Sequence, residues 1–547
     1  MIPHKYKLFV HTIRFLRWEQ IWFRVYYRFF FKLKLLSQNQ GSVVDFENFI
    51  FGARGFPEQS LFDNCQVNYL GERGELANPS DWNSKSKSKL WLYNAHYFDD
   101  LNAEACESRS SWHLNLINRW IAENPPVFGN GWEPYTLSLR IVNWIKWLSR
   151  REKPYPEILR SLEQQSSVLS QQLEYHILGN HLFANAKALV FAGASLKTEN
   201  AAGYLQKGLQ VLAREIEEQF LGDGGHFERS PMYHCILLWD ILDLIHLAEI
   251  SRNKQLQSRV EQWKALVSKA LVWLRVMVHP DGEVSFFNDS AIGIAANLAE
   301  IESYATSCGV TSENDVKHRL NTLADSGYSR ITMPGHVVIF DHAAIGPDYL
   351  PGHAHADTLS IEWSIGCQRV LVNSGTSLYG VSHERLRQRK TAAHNTVELN
   401  GEDSSEVWGG FRVARRAQCV LEDVIDSDDH IMLVASHDGY KRLSGKPIHR
   451  RKLTSNTIGI EISDEIEGRF QEACSFYHLH PDVWVSVIDR NTLRLELLDG
   501  KQVLVSSNQN LRVEGSTWHP EFGTVVPNKR IVISFKKPQF KISFHIL

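Results

Sequence analysis

The stretch HRLNTLADSGYSR (318–330) divides the chain into two patterns. Upstream of it, apolar residues recur at helical spacing. In PYTLSLRIVNWIKWLSR (134–150), Leu137, Ile141, Ile145 and Leu148 form one stripe, and Leu182, Ala186 and Leu189 do the same in GNHLFANAKALVFAGA (179–194). RSPMYHCILLWDILDLIHLAEI (229–250) offers Ser230 as an N-cap and Pro231 at the first helical position. Further amphipathic stretches cover 201–220, 254–278 and 291–306. Downstream, GHVVIFDHA, TLSIEWSI, NTVELNG and IGIEISDEI alternate or are β-branched. TLRLELLDGKQVLVSS (492–507) reads as a hairpin turning at Asp499-Gly500. Many helices followed by many strands predict an all-α unit packed against an all-β unit. The predicted divisions are a basic, aromatic segment at 1–89, a helical domain at 90–325 and a β domain at 326–547.

Composition narrows the function classes. The chain has 547 residues, 43% hydrophobic and 22% charged, with a net charge of −3. Residues 1–36 hold eight Lys/Arg against one Glu, a net of +7, which leaves −10 on the rest. No broad basic field remains for nucleic acid, so recognition of an acidic substrate must be local. The seven cysteines are odd in number and contain no CxxC, so neither a disulfide framework nor a zinc finger is indicated. The segment RFLRWEQIWFRVYYRFFFKLKLL (14–36) is interrupted by arginines too often for a signal peptide or a spanning helix. It can lie on a membrane surface or pack against the body, and packing is the favoured reading.

Four places combine unusual polar residues with structural punctuation. In PGHAHADTLSIE (351–362), His353, His355 and Asp357 recur with period two, so on a strand they share one face. Such a face is costly to bury unless its groups pair, bind metal or do chemistry; otherwise it is a polar strand end. Asn180 and His181 follow Gly179 at the head of an apolar helix, where they either cap it or face a cleft. GGHFERSPMYH (224–234) runs a glycine-rich loop into a helix with Tyr233 in its first turn. There the helix dipole favours phenolate, although Leu237, Ile241 and Leu244 would also make Tyr233 a core anchor. In SHERLRQRKTAAHNTVELNG (382–401), Arg385, Arg387 and Arg389 precede His394-Asn395, as either anion-binding forks or a solvated loop.

Together, GNH (179–181), GGHFERSPMYH (224–234), GHAHADTLSIE (352–362) and RKTAAHNTV (389–397) resemble the heparinase II/III family of bacterial polysaccharide lyases, over residues from about 90 to at least 420. The resemblance implies an α+β multidomain fold, an N-terminal (α/α) toroid followed by a C-terminal antiparallel β-sandwich, with the active site in the cleft between them. It implies cleavage of a uronate glycan by β-elimination, in which a base takes the C5 proton and the O4 oxygen leaves. The developing charge on the carboxylate must then be stabilised. By resemblance, Asn180 binds that carboxylate with His181 beside it, Tyr233 serves as base, acid or both, and His353 is the second acid/base or an aid to the carboxylate. Trp132 and Tyr135, in GWEPYTLSLR, either stack on sugars or pack in the core, and Glu228, Arg385, Arg387 and Arg389 are candidates to contact substrate.

In metal-containing relatives the second histidine of the HxH, an aspartate and a later histidine bind zinc. Here those positions are His355, Asn373 and His394, and a neutral amide is a poor zinc ligand. A divalent metal, zinc first, is therefore an expectation that the amide puts in question. Asp357 would orient one histidine. The expected partner is an acidic polysaccharide, with membrane or envelope contact through the basic N-terminus. The resemblance points to the cell envelope or periplasm in exopolysaccharide metabolism, whereas an N-terminus unlike an export signal leaves the cytoplasm open. Two rival readings are a polysaccharide-binding protein that does not cleave and a glycoside hydrolase using carboxylates among Glu133, Glu228 and Asp357.

Overall fold

The computed structural model describes residues 4–36, 44–52, 55–152, 155–310 and 318–547. Two N-terminal helices, α1 (His4–Ile13) and α2 (Trp18–Phe29), precede a small hairpin of Gln66–Tyr69 with Glu72–Glu75. The helical domain contains α3 (Lys89–Tyr97), α4 (Ser110–Glu123), α5 (Pro134–Leu148), α6 (Pro156–Gln171), α7 (Gly179–Ser195) and α8 (Ala201–Gln219). It continues through α9 (Pro231–Ser251), the single turn α10 (Lys254–Gln257), α11 (Val260–Met277) and α12 (Leu298–Ser307).

The helices pair as the apolar stripes require. Nearly every residue of α7 is buried, because it packs on α5, α6, α8 and α9 at once. A helix apolar all round belongs in the middle of such an assembly. One continuous core joins Trp91, Trp120, Trp144, Leu182, Leu242 and Trp263 across the domain. As expected, α9 begins at Ser230, whose hydroxyl accepts the Tyr233 N–H at 3.2 Å, with Pro231 in the first turn.

The β domain is antiparallel throughout its named sheets. A five-stranded meander (Leu320–Leu323, Tyr328–Met333, His336–Asp341, Ile361–Ile365, Gln368–Leu371) faces the helices. An eight-stranded sheet running from Cys419–Asp426 to Trp484–Val487 and a four-stranded sheet built around Ala473–His478 complete the sandwich. Leu359, Trp363, Ile462, Tyr477 and Phe544 meet in their shared core. The first strand, Leu320–Leu323, lies before residue 326, so the sheet opens inside the dividing stretch itself. The toroid-plus-sandwich architecture is thus present.

The local reading of PGHAHADTLSIE needs correction. Residues 351–360 form an irregular loop, and the strand begins only at Ile361. Leu359 stands in the left-handed region at φ 64°, which breaks any two-residue period. His353 and His355 nevertheless converge, because a carboxylate from the helical side draws both in.

Candidate active site

The cleft between the domains holds a cavity of about 450 Å³, whose wall includes Asn180, Tyr135, Tyr233 and Tyr379. The segments that feed it are tightly bent. Leu178 and Gly179 have φ of 73° and 60°, and a Cβ on Gly179 would lie 2.3 Å from Leu350 Cδ2. Only glycine fits where α7 starts against the β-domain loop. Arg229 and Asn288 also stand at positive φ, each beside a functional segment.

Tyr233 projects from the first turn of α9. Its hydroxyl lies 3.0 Å from that of Tyr379, and its ring rests 4.0 Å, centroid to centroid, from the His353 imidazole. Burial, followed by the Tyr379 hydroxyl, pushes the Tyr233 phenol well above its ordinary pKa. The dipole argument for phenolate therefore loses: desolvation keeps the proton on. His353 Nδ1 lies 2.9 Å from Asp289 Oδ2, so Nδ1–H donates to the carboxylate and Nε2 keeps its lone pair. The His353 side chain retains 13% exposure at the cleft edge, with Nε2 3.8 Å from Glu228.

Asp289 was not among the expected site residues, yet it organises the site. Its carboxylate takes His353 on one oxygen and His355 Nε2 on the other at 2.8 Å. Arg385 grips both oxygens, with Nη2 at 2.6 Å from Oδ2, and Thr376 adds a hydroxyl at 3.2 Å. Burial alone would raise the Asp289 pKa, but Arg385 and the imidazoles outweigh it and hold the carboxyl well below its usual range. The only sequence signal was a polar Asn288-Asp289 pair directly after Phe286-Phe287.

Glu228 is fully buried against the start of α7, and neither oxygen has a partner in normal hydrogen-bond geometry. The Asn180 backbone N–H, beyond that geometry, favours the anion only weakly. Burial first, and then the Asp289 charge, raise the carboxyl to about 8, so it carries a proton at neutral pH. The Asn180 side chain lies on the cavity wall, which it shares with Tyr135. His181 is tied to Glu174 at 3.0 Å and stacks on Tyr135 at 4.3 Å.

Several expectations are overturned by placement. Trp132 is a core residue, packed 5.7 Å from Trp120 and bonded through Nε1 to the Asn124 carbonyl, so it is not free to stack on sugar. Arg385 is spent on Asp289, and Arg389 is fully buried on the Ala354 carbonyl at 2.8 Å; neither guanidinium faces substrate. Asp357 accepts the Asn288 N–H at 2.8 Å instead of orienting a histidine. Glu133 bonds Tyr93 and Lys89, so it forms no flanking carboxylate pair with Glu228 or Asp357.

Residues 116–315 match the model of the family described as Heparinase II/III N-terminus, and residues 315–547 match Heparinase II/III-like, C-terminal. The chain belongs to the heparinase II/III family. It is 24% identical over 331 residues to a heparin-sulfate lyase of Bacteroides stercoris, a match covering 56% of this chain and 46% of that one. The chain thus spans about half the length of that curated relative. It is also 24% identical over 465 residues to FtsZ-localized protein C of Caulobacter vibrioides, covering 79% of this chain and 75% of the relative. Among solved structures, a crystal structure of heparinase III superposes with a TM-score of 0.71 at 17% identity, covering 97% of this chain and 89% of that one. At that identity the likeness is one of fold.

The family's zinc position can be tested on this heparinase II/III chain's own donors. His355 and His394 are fully buried with ring centroids 5.2 Å apart. His355 Nδ1 and both His394 nitrogens lack a hydrogen-bond partner in normal geometry. The third position fails: Asn373 Oδ1 is taken by Ser360 Oγ at 2.7 Å and by the Asn395 N–H at 3.2 Å. His355 Nε2 is likewise committed to Asp289. Among the described residues no group of three or more His, Cys, Asp or Glu is arranged to hold a metal. The donor set does not fit the zinc site, because the ligand that would supply charge is an amide already engaged.

Proposed function

We propose that this protein is a polysaccharide lyase that cleaves a uronic-acid-containing glycan by β-elimination. One observation carries the proposal: the Tyr233 phenol and the Asp289-bonded His353 imidazole lie with ring centroids 4.0 Å apart beside a cavity walled by Asn180. His353 Nε2 takes the C5 proton of a uronate. Electrons from that C–H bond form the C4–C5 double bond, and the C4–O4 bond breaks. The Tyr233 hydroxyl gives its proton to the departing O4 oxygen. The Asn180 amide on the cavity wall donates to the uronate carboxylate, offsetting the second negative charge that builds there, and the Glu228 carboxyl, buried against the start of α7, adds no negative charge while it stays protonated. Return of the proton from His353 to Tyr233 through solvent resets the pair. Asp289 fixes the His353 tautomer as a positioning residue, and no step needs a metal.

The direct test is incubation with uronate polymers, bacterial exopolysaccharides included, while following the ultraviolet absorbance of the new double bond. Product from the wild type and none from His353→Ala is the expected result. Cleavage that yields only saturated ends would instead indicate hydrolysis.

A second reading has one observation in its favour. The relative that matches over most of both chains bears a localisation name, not a lyase name. On that reading the cleft binds an acidic glycan and leaves it intact, and retention on a polymer column with no unsaturated product identifies it.

A further inference from the structure

The N-terminal helices are amphipathic in the unusual direction. On α1, Tyr6, Phe9, Val10 and Ile13 are exposed, at spacings of three, four and seven. On α2, Trp18, Ile21, Trp22, Val25 and Phe29 continue the pattern, with Trp18 75% and Phe29 74% exposed. These are single-face helical stripes that point away from the protein. The opposite face makes the attachment. Gln20 Nε2 bonds the carbonyls of Ile177 and Tyr349, Phe23 stacks on Tyr175 at 4.7 Å, and Tyr27 donates to the Leu173 carbonyl. Thr12 Oγ1 accepts the Trp408 indole N–H at 3.0 Å, so the helices tie to both domains. The expected packing is thus present, and it leaves the apolar stripes of both helices uncovered.

The charge beside this surface selects its partner. Lys5, Lys7, Arg14, Arg28, Lys32 and Lys34 are exposed around the stripes. The lone acid of residues 4–36, Glu19, is paired with Arg214. A second copy docking patch to patch would face the same surplus of positive charge. An anionic polysaccharide would satisfy the cations and leave the aromatic stripes wet. An anionic bilayer satisfies both: aromatic rings settle at the headgroup level while Lys and Arg reach acidic lipid heads. Among the described residues no helix is long and apolar enough to cross a membrane, so the helices would lie in its plane.

We propose that α1 and α2 form an in-plane docking surface for an anionic lipid bilayer, independent of whether the cleft cleaves glycan. The test is flotation of the full chain with vesicles of phosphatidylcholine alone, or with about one part in four phosphatidylglycerol. At least about tenfold more binding to the anionic vesicles, lost at high salt, is expected. The triple variant Trp18→Ser, Trp22→Ser, Phe29→Ser should lower that binding about tenfold or more, with unchanged melting temperature and mass in solution. Brominated lipid in the anionic vesicles should quench part of the wild-type tryptophan emission, a readout that holds even where the variant folds poorly. Equal binding to both vesicles overturns the proposal, as does full binding by the triple variant or absence of quenching. A wild-type dimer that the triple variant turns into a monomer would reassign the surface to self-association.

Discussion

His353 and His355 hold the same carboxylate from opposite sides, and their surroundings differ. His353 keeps partial exposure, stacks on Tyr233 and has a free Nε2 at the cleft edge. His355 is wholly buried, faces His394 and sits in a pocket where polar atoms go unpaired. Two residues apart in sequence, they differ in their access to solvent. A proton acceptor must reach substrate, whereas a buried imidazole can only brace the loop that carries its neighbour. On the proposed lyase reading, reaction chemistry belongs to one side of Asp289 and support to the other.

The largest effect should come from the cleft edge. Tyr233→Phe removes the proton donor and keeps the ring on His353, so turnover should fall about a thousandfold with little change in thermal stability. Unsaturated product formed at near wild-type rate would break the assignment. Next is the shared carboxylate. Asp289→Asn frees the His353 tautomer and strands Arg385, a buried guanidinium, so a rate loss of about a hundredfold should accompany destabilisation of about 3–5 kcal/mol. Denaturant titration measures the second quantity separately. If Asp289→Asn costs stability and leaves the rate intact, the carboxylate supports the loop and does not orient the base.

Much of this division was not legible in the sequence, for physical reasons. The change of period at 318–330 and the Ser230-Pro231 helix start were readable, because both are local. Tyr233 and His353 are singled out by motif resemblance, and only the fold brings their rings into contact. Asp289 was missed because its role comes from partners more than sixty positions away, which no spacing rule reports. The arginines of SHERLRQRK were misjudged for the opposite reason: a charge run normally faces water, and here Arg385 and Arg389 turn inward to groups that only the fold supplies. Trp132 looked like a sugar platform because an indole suits a ring or a core equally well.

Glu228 offers a sharper test, with an effect that grows with pH. Its folded pKa is about 8, above the ordinary carboxyl value, because burial and Asp289 disfavour the anion. Between the unfolded pKa and 8 the unfolded chain has released this proton and the folded chain has not, so this group makes stability fall as pH rises through that window. Glu228→Gln should therefore be more stable than wild type near pH 7 and indistinguishable from it near pH 4. The wild-type rate should decline above about pH 8 as the carboxyl ionises, and the glutamine variant should keep activity and lose that alkaline limb. An unchanged limb in the variant would remove Glu228 from the carboxylate site.

The smallest effect on rate is expected in the buried pocket around His355 and His394, where the outcome is read in metal. Asn373→Asp places a carboxylate near His355, whose Nδ1 lacks a partner, and His394, whose two nitrogens both do, restoring the charge that a zinc site requires. Its cost is local: Ser360 and the Asn395 N–H must now share an anion, which both can do as donors. The variant should retain about one zinc ion per chain after dialysis, while the wild type retains none, and chelation should lower the melting temperature of the variant alone. Turnover should change by no more than about twofold, since His355 braces the loop and does not touch substrate. Zinc retained by the wild type would show that an engaged amide and two histidines suffice. A large rate change in Asn373→Asp would show that the two sides of Asp289 are more strongly coupled than their surroundings suggest.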